Sequence, residues 1–380
     1  MARKTTTGDP RLDALAGGGP KRSPNVRALA RFAANSDCQL ATVGFAARID
    51  FDKLLVGTEF EVPFGQSPFA FRRGDRFEDL LRKNDYDPLL GLFRDHLGFK
   101  VSDARVKNLR GGARNRRGME KRAKQTEDEI RAIIQGSKSA PNLLDGAVLT
   151  REIAGVRSYF EADAIAAQFD GPIRAGEVKS FPTVDGQADP DKVGAAVAQV
   201  SIYILLLREL VARLGGDPEQ AVSDEALIIT PKNTGLQPTM CVRPVRAHVE
   251  RARRILDSTP SATEIADSLP RKLPTFGSIA DVSARESKRV DGARKLIEVI
   301  GNNYRPSCLA ACGLSRMCRH RAHERGDPQV VGGSLERLVP GISSLDRVHK
   351  LAAGGRPKKE EAAVAEQLKR AATLRERYAK

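Results

Sequence analysis

Tryptophan is absent from this 380-residue chain, and aromatic residues make up only 5% of it. Ala, Leu, Val and Ile must therefore fill most of the interior. The most apolar stretch, Val200 to Leu207, is far shorter than the roughly 20 residues a membrane span needs. No apolar run follows Met1-Ala-Arg-Lys-Thr, so no signal peptide is expected and the chain is expected to be cytoplasmic. A Walker A loop is lacking, so any helicase would be a separate partner. The C-x3-C-x2-C spacing of radical enzymes is missing as well, which argues against radical chemistry. Cysteine is scarce, with five in all. In a reducing compartment, clustered cysteines read as metal or catalytic ligands rather than disulfides.

What is abundant is positive charge. The formal charge is +15 and the pI is near 9.8, a balance that points to a polyanion, most commonly nucleic acid. From Arg105 to Lys124 nine basic residues (Arg105, Lys107, Arg110, Arg114, Arg116, Arg117, Lys121, Arg122 and Lys124) stand against one acid, Glu120. With Gly111, Gly112 and Gly118 among them, this run is expected to form a mobile strap that touches phosphates; a solvated loop is the plain alternative.

The hydrophobic content of 41% allows a large core, in one domain or two. Residues 1–22 are expected to be disordered, 23–257 to form an α/β core that includes the strap 105–124, 258–329 a helical cysteine region, and 330–380 a helical tail. Within the core, Arg76–Lys83 and Thr126–Gln135 read as helices, with Thr126 and Glu129 spaced as a capping box. Val156–Phe169 and Ile173–Phe181 read as a hairpin about the Asp170-Gly171-Pro172 turn. Val193–Leu214 is a long apolar helix stopped by Gly215-Gly216, Ala226–Thr230 a strand, and Pro244–Leu256 a basic amphipathic helix.

The sharpest chemical signal is Asp163 followed, fourteen residues on, by Glu177-Val178-Lys179. Strand periodicity puts Glu177 and Lys179 on one face, and the hairpin brings Asp163 onto the neighbouring strand. Two carboxylates and an ammonium can then converge. Hard oxygen ligands hold Mg²⁺ or Mn²⁺, and an adjacent lysine can orient a nucleophile and neutralise developing charge. A surface salt bridge is the alternative for so short a pattern. Gln199-x-x-x-Tyr203 projects an amide and a phenol from one face of an otherwise apolar helix; a buried amide satisfied by backbone is its alternative. Arg73-Gly74-Asp75-Arg76-Phe77-Glu78 is a turn entering a helix with an early carboxylate. Glu78 is there a candidate metal ligand or a helix-dipole acid.

Taken in order, these elements resemble the RecB-type PD-(D/E)XK exonucleases, a family that includes the nuclease of CRISPR adaptation and the AddAB nuclease domains. The resemblance covers roughly residues 38–325. It implies a restriction-endonuclease-like fold with a mixed central sheet of about four or five strands flanked by helices. It implies Glu78, Asp163 and Glu177 as ligands of Mg²⁺ or Mn²⁺, Lys179 as the catalytic lysine, and Gln199 and Tyr203 as assisting residues. Many members carry a His beside the helix acid, where this chain has Phe77. The implied function is metal-dependent DNA cleavage, at ends or on single strands, in phage defence, CRISPR-type adaptation or recombinational repair. DNA is then the partner, with a separate helicase or defence subunit beside it. The strap and the Pro244–Leu256 helix could line the DNA channel.

Cys308, Cys312 and Cys318 form C-x3-C-x5-C. Three thiolates do not complete a four-thiolate site, so a distant fourth is required. The same families close a 4Fe–4S cluster with a cysteine N-terminal to the nuclease core, the place Cys38 occupies. The family spacing is C-x2-C-x5-C, and the extra residue here leaves Zn²⁺ open as the alternative, with His320 and His323 as further candidate ligands. Cys241 reads as a core residue in a strand. Two other functions compete with DNA cleavage: a non-cleaving DNA-binding scaffold on a nuclease fold, and an RNA-processing iron–sulfur enzyme.

Overall fold

The computed structural model describes all residues except 1–6, 23–27, 30–31, 33–34, 36, 63–67, 99–103, 112–114, 168–170, 234, 328–329, 331–337, 343 and 379–380. The chain divides into two compact units, one of residues 23–33 and 65–259, the other of residues 1–22, 34–64 and 260–380.

The first unit is α/β, built on one six-stranded mixed sheet in the order β1-β2-β3-β4-β5-β6. The strands are β1 (Val106–Asn108), β2 (Leu143–Ile153), β3 (Val156–Ala166), β4 (Ile173–Val178), β5 (Val222–Pro231) and β6 (Pro238–Pro244). β1/β2 and β4/β5 pair in parallel, and the other neighbours are antiparallel. The expected β3–β4 hairpin is present; its turn residue Asp170 lies outside the described residues. Both faces of the centre are covered. On one, Leu143, Ala164, Leu227 and Ile229 pack with Phe77, Leu81, Leu89 and Phe93 of the Pro68–Leu97 helix. The alternate residues Ala226 and Ile228 are buried on the other face, as strand periodicity requires.

The Pro190–Arg213 helix packs on β4 and β5. By length and composition it could cross a membrane, yet 78% of its most apolar window is buried, so its apolar surface serves the core. Asp189 caps its start, accepting from the Asp191 and Lys192 amides, and Pro190 sits where its missing N–H costs nothing.

Two expectations need correction. The described residues of the run 105–124 form regular structure instead of a strap: Val106–Asn108 is edge strand β1, and Arg116–Ile134 is a helix capped by Asn115. Arg122, Thr126 and Ile130 lie four residues apart on one stripe of that helix and are all buried. Thr126 is accordingly interior rather than a cap; its hydroxyl donates to the Arg122 carbonyl at 2.9 Å and accepts from the Val148 amide at 2.8 Å. Nor is the segment before residue 22 disordered throughout. Pro10–Ala16 is a helix capped by Asp9, with Leu12, Leu15 and Ala16 buried.

In the second, helical unit Asp9 also accepts from the Thr263 hydroxyl at 2.7 Å, tying the first helix to the Ala262–Ser268 helix. Buried Arg289 donates to the carbonyls of Ile279 and Leu54, which joins the 34–64 stretch to the C-terminal half. At Gly277 a Cβ would lie 2.0 Å from the Gly17 carbonyl oxygen, so only glycine allows that approach. Near the end, the Leu345–Ala352 and Ala362–Tyr378 helices share a small apolar cluster of Ile342, Leu351, Val364 and Ala365.

Candidate active site and cysteine cluster

The β3–β4 register pairs Ala164 with Gly176; one residue further along, it sets Asp163 opposite Glu177. Opposed residues of an antiparallel pair share a face. The Val178 amide donates to Asp163 Oδ2 at 3.0 Å, which fixes that carboxylate at the end of β4. Lys179 stands just past β4, where its amide continues the ladder to the Ile229 carbonyl at 2.9 Å. Its ammonium donates to Glu177 Oε1, and to Gln199 Oε1 at 2.9 Å. Gln199 and Tyr203 are both buried in the Pro190–Arg213 helix. The Tyr203 hydroxyl donates to the Glu161 carbonyl at 2.7 Å. Burial, reinforced by the neighbouring Glu177 and Asp163 charges, pushes that phenol well above its usual range. The five residues singled out on the strands and this helix therefore meet in one place.

Sequence reasoning missed the other half of the network. Arg110 was expected on a phosphate-binding strap. It instead inserts among carboxylates, donating to Asp145 Oδ1 at 2.5 Å, Glu161 Oε1 at 2.9 Å and Asp163 Oδ1 at 3.0 Å. Its guanidinium also comes within 3.9 Å of Glu78. Gly146 makes room for it: a Cβ there would fall 2.3 Å from Arg110 Cγ, and the residue adopts φ of 71°. Burial disfavours the charged arginine, but the Asp163 and Asp145 charges outweigh it and raise the guanidinium pKa.

Asp145 is buried on β2 and takes three cationic or phenolic donors: Arg110, Arg82 Nε at 2.8 Å and the Tyr86 hydroxyl at 2.8 Å. Burial works to raise its pKa, and Arg110 with the other donors overcomes that and leaves it below the usual carboxylate range. Burial and the same pairing push Tyr86 up to about 12. Tyr86 reaches Asp145 because the Pro68–Leu97 helix breaks at residues 83–86, where Asn84, Asp85 and Tyr86 take φ of 49°, 53° and 68°. Three consecutive left-handed residues are costly outside glycine and persist only where their surroundings hold them. Glu78 joins through Arg82, at 2.8 Å.

Of the remaining strap residues, Arg122 is buried and donates to Glu161 Oε2 at 2.9 Å and to the Gly146 carbonyl at 2.6 Å. Arg105 donates to the Ala140 carbonyl, and Lys107, Arg116 and Lys124 pair with Glu129, Glu120 and Glu127. Arg117 and Lys121 are exposed, and Arg114 lies outside the described residues.

The cysteine set lies in the helical unit. Cys38 is at the N-cap of the Gln39–Ala46 helix, Cys308 lies within a 3₁₀ turn at Pro306–Ala310 and Cys312 two residues past its end, and Cys318 is on the Ser315–Glu324 helix. The two stretches are stitched by Leu40 N–H to the Gly301 carbonyl at 3.0 Å and Arg305 to Asp37 at 2.7 Å. At Gly313 a Cβ would lie 2.1 Å from the Phe51 carbonyl oxygen, which draws the turn against residue 51.

The four sulfurs are near enough to act on one another electrically. Burial pushes the Cys312 thiol up to about 12, and the Cys38 and Cys308 charges add to the rise. Burial also raises Cys38 and Cys318, again with contributions from neighbouring cysteines. N–H groups face every sulfur. The Asn303, Ala41 and Leu40 amides face Cys38, although none closes a cap hydrogen bond. The Leu314 amide faces Cys312, the Asn302 side chain faces Cys318, and Asn35 Nδ2 donates to Cys308 Sγ at 3.3 Å. Nearby, the buried hydroxyls of Tyr304 and Ser315 have no hydrogen-bond partner among the described residues. Such a set suits a soft, thiolate-bound group. His320 turns Nε2 to Glu324 at 3.2 Å and packs on Phe60, and His323 is exposed; the structure gives neither a contact with the sulfurs. Cys241 is on β6, as expected of a strand residue, and half-buried. Among the described residues, no three Cys, His, Asp or Glu side chains stand in ion-holding geometry; at the carboxylates, Arg110 occupies the shared centre.

No family model matches the chain, and no curated protein matches it. Among solved structures, one described as "Crystal structure of SSO0001" aligns at 15% identity over 49% of this chain and 87% of its own, with a TM-score of 0.21. A score that low supports no argument about fold or function.

Proposed function

We propose that this chain is a divalent-metal-dependent DNA nuclease with a restriction-endonuclease-like PD-(D/E)XK core, joined to a unit that carries a four-cysteine iron–sulfur cluster. The observation that carries the reading is the convergence at β3–β4: Asp163 opposite Glu177, with Lys179 held between Glu177 and Gln199. Asp163 and Glu177 would hold the ion, and Glu78 stands at the edge of the network. A bound Mg²⁺ or Mn²⁺ supplies Lewis acidity and an activated water. The chain's own residues do the rest. Lys179 brings a positive charge to the carboxylates, where a phosphate would need neutralising. Gln199 holds that ammonium in place, and Tyr203 ties its helix to β3. Replacement of Asp163 by Asn keeps the side-chain shape and removes the charge. Asp163→Asn is expected to abolish Mn²⁺-dependent cleavage of both single- and double-stranded DNA; undiminished cleavage would sink this reading.

The cysteine set supports a cluster independently, because four sulfurs from two distant stretches each meet an N–H donor. Hydrogen bonds of this kind stabilise thiolates over thiols. Anaerobically purified protein is expected to absorb near ~400 nm, as thiolate-bound iron does, and Cys38→Ser to lose most of that absorbance and much of the stability of the helical unit. A colourless protein with stoichiometric zinc would select Zn²⁺ instead. One that carries neither metal would remove the cluster from the proposal.

A further inference from the structure

Near the candidate active site, the sheet unit has a cavity of about 450 Å³ lined by Phe69, Arg72, Arg73, Arg76, Gly235 and Leu236. Three of these six are arginines, and none is acidic. Many arginines of this unit sit against carboxylates, as Arg82, Arg110, Arg122 and Arg174 do. Arg72, Arg73 and Arg76 have no ion pair among the described residues. Arg73 is the most telling of them. Its Nε donates to the Ser180 carbonyl at 3.2 Å, while its Nη2 is buried without a hydrogen-bond partner among the described residues. A buried guanidinium N–H with no acceptor is costly unless a ligand supplies one. At the rim, Phe69 is 76% exposed, with the Arg72 guanidinium 4.9 Å from its ring centroid. Ser180, to which Arg73 is tied, directly follows Lys179.

We propose that this cavity binds one strand of single-stranded nucleic acid, with its phosphates on Arg73 and Arg76 and a base stacked on Phe69. The direction of the strand, toward Lys179, rests on the nuclease reading; the binding itself does not. Guanidinium groups meet phosphate oxygens in pairs of parallel hydrogen bonds. An exposed ring beside them serves a ligand with a free π face. An unpaired base has such a face, a base stacked within a duplex has none, and an acidic peptide would use the arginines and leave Phe69 idle.

The absence of tryptophan makes the test direct, since Phe69→Trp places the only tryptophan in the chain. Phe69 is largely exposed, so the substitution leaves the core intact. Full-length F69W in EDTA is titrated with oligodeoxythymidine of about 12 nucleotides, with the matching duplex, and with polyglutamate. The single strand is expected to quench the emission strongly, and neither duplex nor polyglutamate to do so. By fluorescence anisotropy, Phe69→Ala should weaken single-strand binding about tenfold with the salt dependence unchanged. The Arg73→Gln/Arg76→Gln double variant should weaken it by a similar factor and lower the salt slope by roughly one to two. Unchanged F69W emission at saturating strand, wild-type binding by the double variant, or equal quenching by polyglutamate would overturn the proposal. Because no metal is present, the two readings separate. Binding here without any Mn²⁺-dependent cleavage sinks the nuclease and leaves this site standing, and cleavage without binding here does the reverse.

Discussion

Lys179→Ala is expected to reduce Mn²⁺-dependent DNA cleavage by about a hundredfold to a thousandfold, the usual cost of removing one preorganised electrostatic donor from a reacting centre. The ammonium has two partners, Glu177 and Gln199, on two different elements. Its side chain is only 16% exposed, and that of Glu177 is 4% exposed. A charge so placed is held before substrate arrives, which is what makes it effective. Its loss leaves Asp163 and Glu177 intact, so Mn²⁺ binding should persist while the maximal rate falls. That split separates Lys179 from the carboxylates, whose replacement should remove both. Lys179→Arg should not restore the rate, because a planar guanidinium does not reproduce a compact ammonium between two oxygen acceptors. Initial rates on end-labelled single strands, with a melting curve to confirm folding, make the measurement. A wild-type rate in Lys179→Ala would mean that this lysine serves only to neutralise Glu177.

That lysine was readable in the sequence because its position depends on short-range rules. Strand period two relates Glu177 to Lys179, a hairpin turn brings Asp163 alongside, and helix period relates Gln199 to Tyr203. Each relation survives whatever the rest of the fold does. Asp145 and Glu161 obey no such rule. Asp145 lies in Leu143-Leu144-Asp145-Gly146-Ala147-Val148-Leu149, buried throughout, where continuous apolar character hides any alternation. A lone acid in such a run was the available signal, since buried carboxylates need partners. The basic run failed for a related reason. Counting charges does not tell a solvated arginine from one inserted among carboxylates, and the partners of Arg110 are 35 to 53 residues away. The stripe of Arg122, Thr126 and Ile130 at helical spacing was the clue that this segment has a buried face. The link between Cys38 and the 308–318 cysteines was reached through family resemblance and a missing fourth ligand, not through local pattern. The helix at residues 10–16 escaped because its stability comes from packing on a helix some 250 residues later.

Arg110 leads to the second large effect, and it follows from charge. Five carboxylates, Glu78, Asp145, Glu161, Asp163 and Glu177, are interleaved with four cations, Arg82, Arg110, Arg122 and Lys179. Both oxygens of Asp163 are engaged, one by the Val178 amide and the other by Arg110. If a divalent ion uses Asp163, the guanidinium must yield that oxygen, and the measured affinity carries the cost of the exchange. Arg110→Gln is therefore expected to bind Mn²⁺ about tenfold more tightly than wild type, equivalent to about 1.4 kcal/mol. The metal-free protein should lose about 3 kcal/mol, since removing one side of a largely buried ion pair strands the others, and melt roughly 5–10 °C lower. The signature is a pair of opposite changes: a lower melting temperature without metal, and a larger upward shift when Mn²⁺ is added. Arg110→Lys should fall between the two, because one ammonium does not span three carboxylates as the guanidinium fork does. Suppose instead that Arg110 serves to hold Asp163 in the orientation the ion requires. Then Arg110→Gln weakens Mn²⁺ binding and cleavage together, and the sign of the change in affinity alone decides between competitor and support.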